Sequence, residues 1–263
     1  MNDITSSQNK LFKQLNKLSS SQKERSKTGL TLLEGIHLTE SYLQYVGLPK
    51  QCVFTEDTLL DGEAREIIEK CQNGNAECVQ ISKALFKEIS VVENGIGLLF
   101  VIDAKSQQAE PLEESAVLLE DVQDPGNVGT ILRTAAAAGI RKIYCSSGTA
   151  SAWSPKVLRS GMGAQFVLDI YENVDLKQLI KESKIQVLAT TLSAETTIYK
   201  TDLTQKTAWI IGNEGGGVSD KLLALNVQKV TIPQSGSVES LNASAAAAIC
   251  LFEQARQQSS LTE

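Results

Sequence analysis

Residues 116–139 read A116-V-L-L-E-D-V-Q-D-P-G-N-V-G-T-I-L-R-T-A-A-A-A-G139. An apolar run, AVLLEDV, is followed by a loop holding Pro125 and two glycines and then by a helical pattern ending at Gly139. That is the signature of a buried strand turning into a helix. The same rhythm recurs to the end of the chain. Strand candidates are KIYCSS (142–147), QFVLDIY (165–171), IQVLATTL (185–192), TAWIIGNE (207–214) and QKVTIP (228–233). Helical stretches are read at 128–138, 155–162, 175–183, 219–226 and 241–256. Strands that alternate with helices of this length predict a mainly parallel sheet covered on both faces. Ligands of such sheets bind beyond the carboxyl ends of the strands.

Upstream the pattern is mixed α/β. Residues from about 6 to 25 and the stretch ending at Gly47 look helical. Strands are read at QCVFTE, AECVQIS and IGLLFVID, with helices at EAREIIEKC and KALFKEI. The alternation predicts a small α/β/α sandwich. Residues 104–115, AKSQQAEPLEES, are polar with Pro111 and are the expected linker. The division is therefore 1–103, linker 104–115, and 116–263.

With 42% hydrophobic and 21% charged residues, the 263-residue chain can build a sizeable core. No run approaches the roughly 18 apolar residues that span a bilayer. The opening MNDITSSQNKLFKQ lacks the apolar core of a secretory signal, so the expected location is cytoplasmic. The five cysteines (Cys52, Cys71, Cys78, Cys145, Cys250) include no CxxC pair, and His37 is the only histidine. No metal site is expected, and the thiols read as reduced and mostly buried. The net charge of −6 argues mildly against nucleic acid. The first 30 residues run the other way: Lys10, Lys13, Lys17, Lys23, Arg25 and Lys27 face only Asp3 and Glu24. They read either as a solvated helical face or as a phosphate-contacting arm.

Three loops carry the candidate chemistry. The first, D-P-G-N-V-G (124–129), opens a helix for which Asn127 is a candidate cap. Arg133 follows on that helix, as a site residue or a surface cation. The second, G-N-E-G-G-G-V-S (212–219), follows an apolar strand, and a glycine-rich loop there allows a ligand to lie against backbone. Glu214 stands at the second glycine of a dinucleotide fingerprint, and Val218 stands where a P-loop needs lysine, so both of those readings fail. The third, Q-S-G-S-V-E-S-L-N (234–242), feeds a helix that begins with small residues.

Taken in order, EDVQDPGNVGTILRTAAAAG, IIGNEGGGVSD and VTIPQSGSVESLNASAAAAICLFE resemble the three motifs of the SpoU (TrmH) family of RNA ribose methyltransferases, within the SPOUT superfamily. SPKVLRSGMGA (154–164) is similar to the family as well. SSQNKLFKQLNKL (6–18) with TGLTLLEGIHL (28–38) resembles the ribosomal-protein-like substrate-binding domain of many members. The resemblance implies a parallel-sheet catalytic domain with a deep trefoil knot, S-adenosylmethionine as methyl donor, and a homodimer whose sites draw on both subunits. It implies that Asn127, Arg133, Glu214, Ser240 and Asn242 form the polar active site. It also implies that Thr190, Leu192, Gly212, Gly217, Ile232, Gln234 and Leu241 surround the donor. The N-terminal cations, with Arg159, would meet the RNA.

The implied reaction is methylation of a ribose 2′-hydroxyl in a structured RNA, ribosomal RNA first. A transfer-RNA substrate, or a non-catalytic RNA-binding role, is the alternative. The family assigns base-like duty to the arginine matching Arg133. A guanidinium with a pKa above about 12 is better suited to gripping phosphate and stabilising charge on oxygen. Two departures stand out: Gln234, where members commonly have Met, and Ala136, where they often have an acidic residue.

Overall fold

The computed structural model describes residues 2–104, 107–192, 194–237 and 240–259. Lys105 and Ser106 of the expected linker, and Val238 and Glu239 of the third loop, lie outside the described residues. In chain order the first part holds β1 (Asn2–Ile4), α1 (Lys10–Ser20), α2 (Gln22–Thr28), β2 (Leu30–Glu34), α3 (Ile36–Tyr45), β3 (Gln51–Phe54), α4 (Gly62–Asn73), β4 (Glu77–Ile81), α5 (Lys83–Ile89) and β5 (Leu98–Asp103). Then come β6 (Ala116–Leu119), α6 (Pro125–Ala137), β7 (Lys142–Cys145), α7 (Pro155–Gly161), β8 (Asp169–Tyr171) and α8 (Leu176–Lys181). The chain finishes with β9 (Gln186–Thr190), β10 (Thr207–Ile211), α9 (Asp220–Leu223), β11 (Gln228–Val230) and α10 (Ala243–Ser259). Two compact units result. One takes in Met1–Lys105 and Trp153–Phe166, the other Ser106–Ala152 and Val167–Glu263. The stretch 154–164 is thus part of the first unit.

The first unit is built on a mixed sheet in the order β1-β4-β3-β5-β2, in which β5 runs antiparallel to both β3 and β2. Phe12, Leu15 and Leu18 of α1 and Leu85, Phe86 and Ile89 of α5 pack with Val53, Val79, Leu99 and Val101 of the sheet. The helix expected over 6–25 is two helices. Ser21 ends α1, and its side chain accepts from Glu24 N–H to cap α2. Arg25 is buried, and its Nη1 donates 2.8 Å to the Leu18 carbonyl near the end of α1. A cation there satisfies a carbonyl that the helix leaves open. This corrects the expectation that Arg25 faces RNA. Strand β2 has no counterpart among the strands expected from the sequence. Its bounds are Gly29 (φ 66°) and Gly35 (φ 103°), both in the left-handed region. Helix α7 packs on β2, where Thr31 Oγ1 donates 2.6 Å to the Trp153 carbonyl.

The second unit is a sheet in the order β11-β9-β10-β6-β7-β8, and every pairing is parallel. One face packs Leu118, Tyr144, Val187, Ala208 and Ile210 under α8 and α9. On the other side α10 packs against α6 and β10. There Trp209, fully buried, donates from Nε1 to Gln254 Oε1 at 2.7 Å, and Gln254 Nε2 donates to Ser115 Oγ at 3.0 Å. No described helix is long and apolar enough to cross a membrane.

Replacing Gln254 with Leu removes the acceptor of a buried indole N–H. The expected cost is about 1–3 kcal/mol, read as a lowered urea midpoint with unchanged m-value.

Candidate active site

Strand β10 lies between β6 and β9, so the loops leaving their carboxyl ends are neighbours. The loop after β10 closes on itself. Asn213 N–H donates to the Gly217 carbonyl at 3.1 Å, and Gly217 N–H returns to the Asn213 carbonyl at 2.8 Å. Asn213 Oδ1 accepts from the N–H groups of Gly215 (2.9 Å) and Gly216 (3.1 Å). A Cβ at Gly212 would sit 2.2 Å from the Gly217 carbonyl carbon and 2.3 Å from Val218 N. Only glycine permits backbone to pass backbone this closely.

The loop after β6 departs from expectation at its cap. Asp124, not Asn127, caps α6, with Oδ1 accepting from Asn127 N–H at 2.8 Å. Pro125 takes the first helical position, where its missing N–H is no loss, and the cap falls on the residue before it. The Asn127 side chain is thereby released for tertiary bonds. Its Nδ2 donates to Glu214 Oε1 at 3.0 Å, and its Oδ1 accepts from Asn242 Nδ2 at 3.0 Å. Asn242 in turn caps α10, its Oδ1 accepting from the N–H groups of Ser244 (2.9 Å) and Ala245 (3.3 Å). Glu214 closes the circuit by accepting from Gln123 N–H and Asp124 N–H, each at 3.1 Å. Partial burial opposes charge on Glu214. Donation from the Asn127 amide and from the backbone of Glu214, Gln123 and Asp124 outweighs it and holds the carboxyl below the usual carboxylate range.

Two further residues of this loop fall where the sequence pattern predicts strand. Strand β6 stops at Leu119, and Glu120 and Asp121 belong to the site's framework. Glu120 accepts from both the N–H and the hydroxyl of Ser219. The Asp121 carbonyl accepts from Asn213 Nδ2 at 2.9 Å, with Asp121 itself at φ 53°. The signal that could have found them is the charge pair itself, since adjacent carboxylates do not end a buried strand without partners.

The loop after β10, the ends of β9 and β11 and the start of α10 line a cavity of about 440 Å³, within the usual size of a small-molecule site. Thr190, Leu192, Gly212, Gly217, Ile232, Gln234 and Leu241 all line it, as do Glu214 and Ser240. Asn127 and Asn242 stand behind Glu214. Arg133 is elsewhere: six positions along α6 turn it about 240° from Asn127, onto the exposed face with Gly126, Thr130 and Ala137. It has no hydrogen-bond or ion-pair partner among the described residues. Two buried polar atoms of the cavity residues, Thr191 Oγ1 and Gln234 Oε1, also lack a partner among the described residues. A glycine-paved wall with unsatisfied polar atoms fits a nucleoside-type ligand carrying both apolar and hydrogen-bonding edges.

In the first unit Lys10, Lys13 and Lys17 form one exposed stripe on α1, opposite its buried face. Lys23 and Lys27 of α2 are exposed, and Arg159 of α7 is exposed with Nη1 3.4 Å from the Val91 carbonyl.

Fold and cavity together define a SPOUT-type α/β methyltransferase. The model of the SpoU rRNA methylase family matches residues 114–252, and that of an MRM3-like substrate-binding domain matches residues 9–99. The chain belongs to the SpoU rRNA methylase family. It is 36% identical to an uncharacterized tRNA/rRNA methyltransferase of Synechocystis, across 97% of this chain and 94% of that protein. It is 31% identical to the 23S rRNA (guanosine(2553)-2′-O)-methyltransferase RlmP of Bacillus subtilis, across 96% and 98%. Among solved structures, the AdoMet-bound rRNA methyltransferase of Sinorhizobium meliloti superposes with a TM-score of 0.83 at 26% identity, covering 97% of both chains.

A methyl group placed on Gly212 forces the 212–218 loop out of position. Gly212→Ala is expected to weaken S-adenosylmethionine binding at least about 100-fold by calorimetry, with the N-terminal unit still folded by circular dichroism.

Proposed function

We propose that this chain transfers a methyl group from S-adenosylmethionine to a ribose 2′-hydroxyl of a structured RNA, ribosomal RNA before transfer RNA, as a cytoplasmic homodimer. The observation that carries the reading is the cavity itself. A glycine-walled space lies between the loop after β10 and the segments after β9 and β11, two of its lining residues hold buried polar atoms with no partner among the described residues, and Asn127 and Asn242 tie the first loop and α10 to its wall at Glu214. The Bacillus subtilis relative, named for a 23S rRNA guanosine, and the AdoMet-bound Sinorhizobium meliloti structure support both donor and substrate class.

When bound, S-adenosylmethionine supplies an electrophilic methyl group on a sulfonium. Everything else falls to the chain. Residues Thr190–Leu192, Gly212–Gly217, Ile232, Gln234 and Leu241 hold the donor, with Ser240 offering a hydroxyl at the cavity wall. Glu214, fixed by Asn127, keeps the 212–218 loop against the 123–124 backbone and remains ionised at neutral pH. Arg133 grips a substrate phosphate and stabilises charge developing on the attacking oxygen. A guanidinium offers donors and no acceptor, so the hydroxyl proton passes to a phosphate oxygen or water.

Within one chain, Asn127 bonds Asn242 and Glu214, and neither asparagine bonds Arg133. The exposed position of Arg133 on α6 therefore supports a site completed by a second copy. Small residues Ala136 and Ala137 on the accessible side of α6, and exposed Phe252 on the neighbouring α10, support a self-complementary face there. The knotted threading implied by the motifs belongs to the same reading, since it would press Thr231–Gln234 and Ser240–Ala246 against the 212–218 loop, and residues of all three line one cavity. The division of labour in this reading sets residues 1–103, joined by α7, on the RNA and the rest of residues 116–263 on the chemistry. Lys10, Lys13, Lys17, Lys23, Lys27 and Arg159 are its RNA contacts.

Arg133→Ala is expected to retain calorimetric binding of S-adenosylmethionine and to lose about 100-fold or more in methyl transfer. Mixed dimers of Arg133→Ala with Gly212→Ala should recover activity, because one cavity then keeps both its glycine wall and a partner arginine. Near-normal turnover by Arg133→Ala, or inactive mixed dimers, contradicts the assignment.

Because α1 supplies core residues, its lysines are tested by substitution and not by deletion. Changing Lys10, Lys13, Lys17, Lys23 and Lys27 to Gln should weaken RNA binding. The slope of log K against log salt should fall by about 0.7–0.9 for each lysine that neutralises a phosphate. Donor binding should be untouched; an unchanged slope counts against the lysine face.

A further inference from the structure

Gln234 and Thr191 hold the two buried polar atoms of the cavity residues that no described group satisfies. Their backbones are well anchored. Thr191 N–H donates to the Val230 carbonyl at 2.9 Å, extending the pairing of β9 with β11. Gln234 follows Pro233, and proline biases the buried Ile232 before it toward extended backbone. Both residues line the cavity. An amide oxygen is an acceptor only, so the partner it lacks is an N–H or O–H donor. Most of the surrounding wall is glycine, alanine, leucine, isoleucine and valine, which offers no such side chain.

Resting on the reading of this cavity as the methyl-donor site, we propose that Gln234 is a specificity-determining residue that accepts a hydrogen bond from an N–H of the donor, with Thr191 as its companion. The chemistry named is an N–H donor. On an adenosyl amino acid it has two sources, the exocyclic amine of the purine and the α-ammonium. A hypoxanthine ligand presents a carbonyl where adenine has its amine. Against Gln234 Oε1 it would set two acceptors face to face, and a site built around a hydrogen-bonding group rejects the analogue that lacks its partner.

The test is calorimetry with three probes: S-adenosylhomocysteine, its inosine counterpart, and the adenosyl thioether lacking the α-ammonium. The proteins are the full chain and the variants Gln234→Met and Gln234→Glu. Met matches Gln in length without an acceptor, whereas Glu keeps one. The full chain should bind S-adenosylhomocysteine about tenfold more tightly than whichever analogue lacks the donor that Gln234 reads. Which analogue loses affinity identifies the source. Gln234→Met should lose about tenfold toward S-adenosylhomocysteine and should no longer distinguish that analogue, while Gln234→Glu continues to distinguish it. Wild-type affinity in Gln234→Met, or undiminished discrimination in that variant, overturns the proposal and leaves the methyl-donor reading intact. Failure of the unaltered chain to bind S-adenosylhomocysteine at all overturns both. Equal thermal midpoints for the three proteins confirm that the comparison is between folded forms.

Discussion

The site depends on one relay of hydrogen bonds, Asn242 to Asn127 to Glu214 to the backbone of residues 123–124. Each link lies at 3.0 or 3.1 Å, and together they join three loops separated by up to 115 positions in the chain. The relay also fixes amide orientation. A carboxylate accepts only, so Asn127 must turn its NH₂ toward Glu214 and its oxygen toward Asn242. Asn242 must then give its own oxygen to the first turn of α10, where it serves as a cap. A helix terminus, a glycine loop and a strand-end loop are thus locked by residues that offer each other donor against acceptor at every link. Such satisfied networks give rigidity, and a partly satisfied one would forfeit it.

Around that relay the backbone does the binding. The loop after β10 is shaped by Asn213 acting as a local bracket for Gly215 and Gly216, and by the passage of Gly212 against Gly217. Glu120 and Asp121 hold the two ends of this loop from the end of β6. The result is a preorganised wall, which lets binding proceed without ordering a mobile loop. Reactive groups are then few, and the cationic candidate, Arg133, faces outward from its own chain.

Much of this was legible in the sequence because period and punctuation agree in the second half. Apolar runs ending in glycine-rich loops marked the parallel sheet, and the seven residues expected around the donor all line one cavity. Other features were hidden for identifiable reasons. Strand β2 is short and merges with a helical pattern, so only the flanking glycines betray it. Ser21 interrupts a helix whose apolar spacing runs on, because a serine can close one helix and cap the next. Arg25 looks like its lysine neighbours in composition, yet its guanidinium seals the end of α1. Asn127 has the chemistry of a cap, but Pro125 moved that task to Asp124. The outward aim of Arg133 follows from counting 100° per residue.

The most direct measurement incubates the purified protein with ribosomal RNA from a strain lacking the gene and isotopically labelled S-adenosylmethionine, followed by nucleoside mass spectrometry. Label is expected in a 2′-O-methylnucleoside that resists alkaline cleavage, appearing only when both RNA and donor are present. Label on a base, or no label in any nucleoside while the donor binds, would contradict ribose methylation by this cavity.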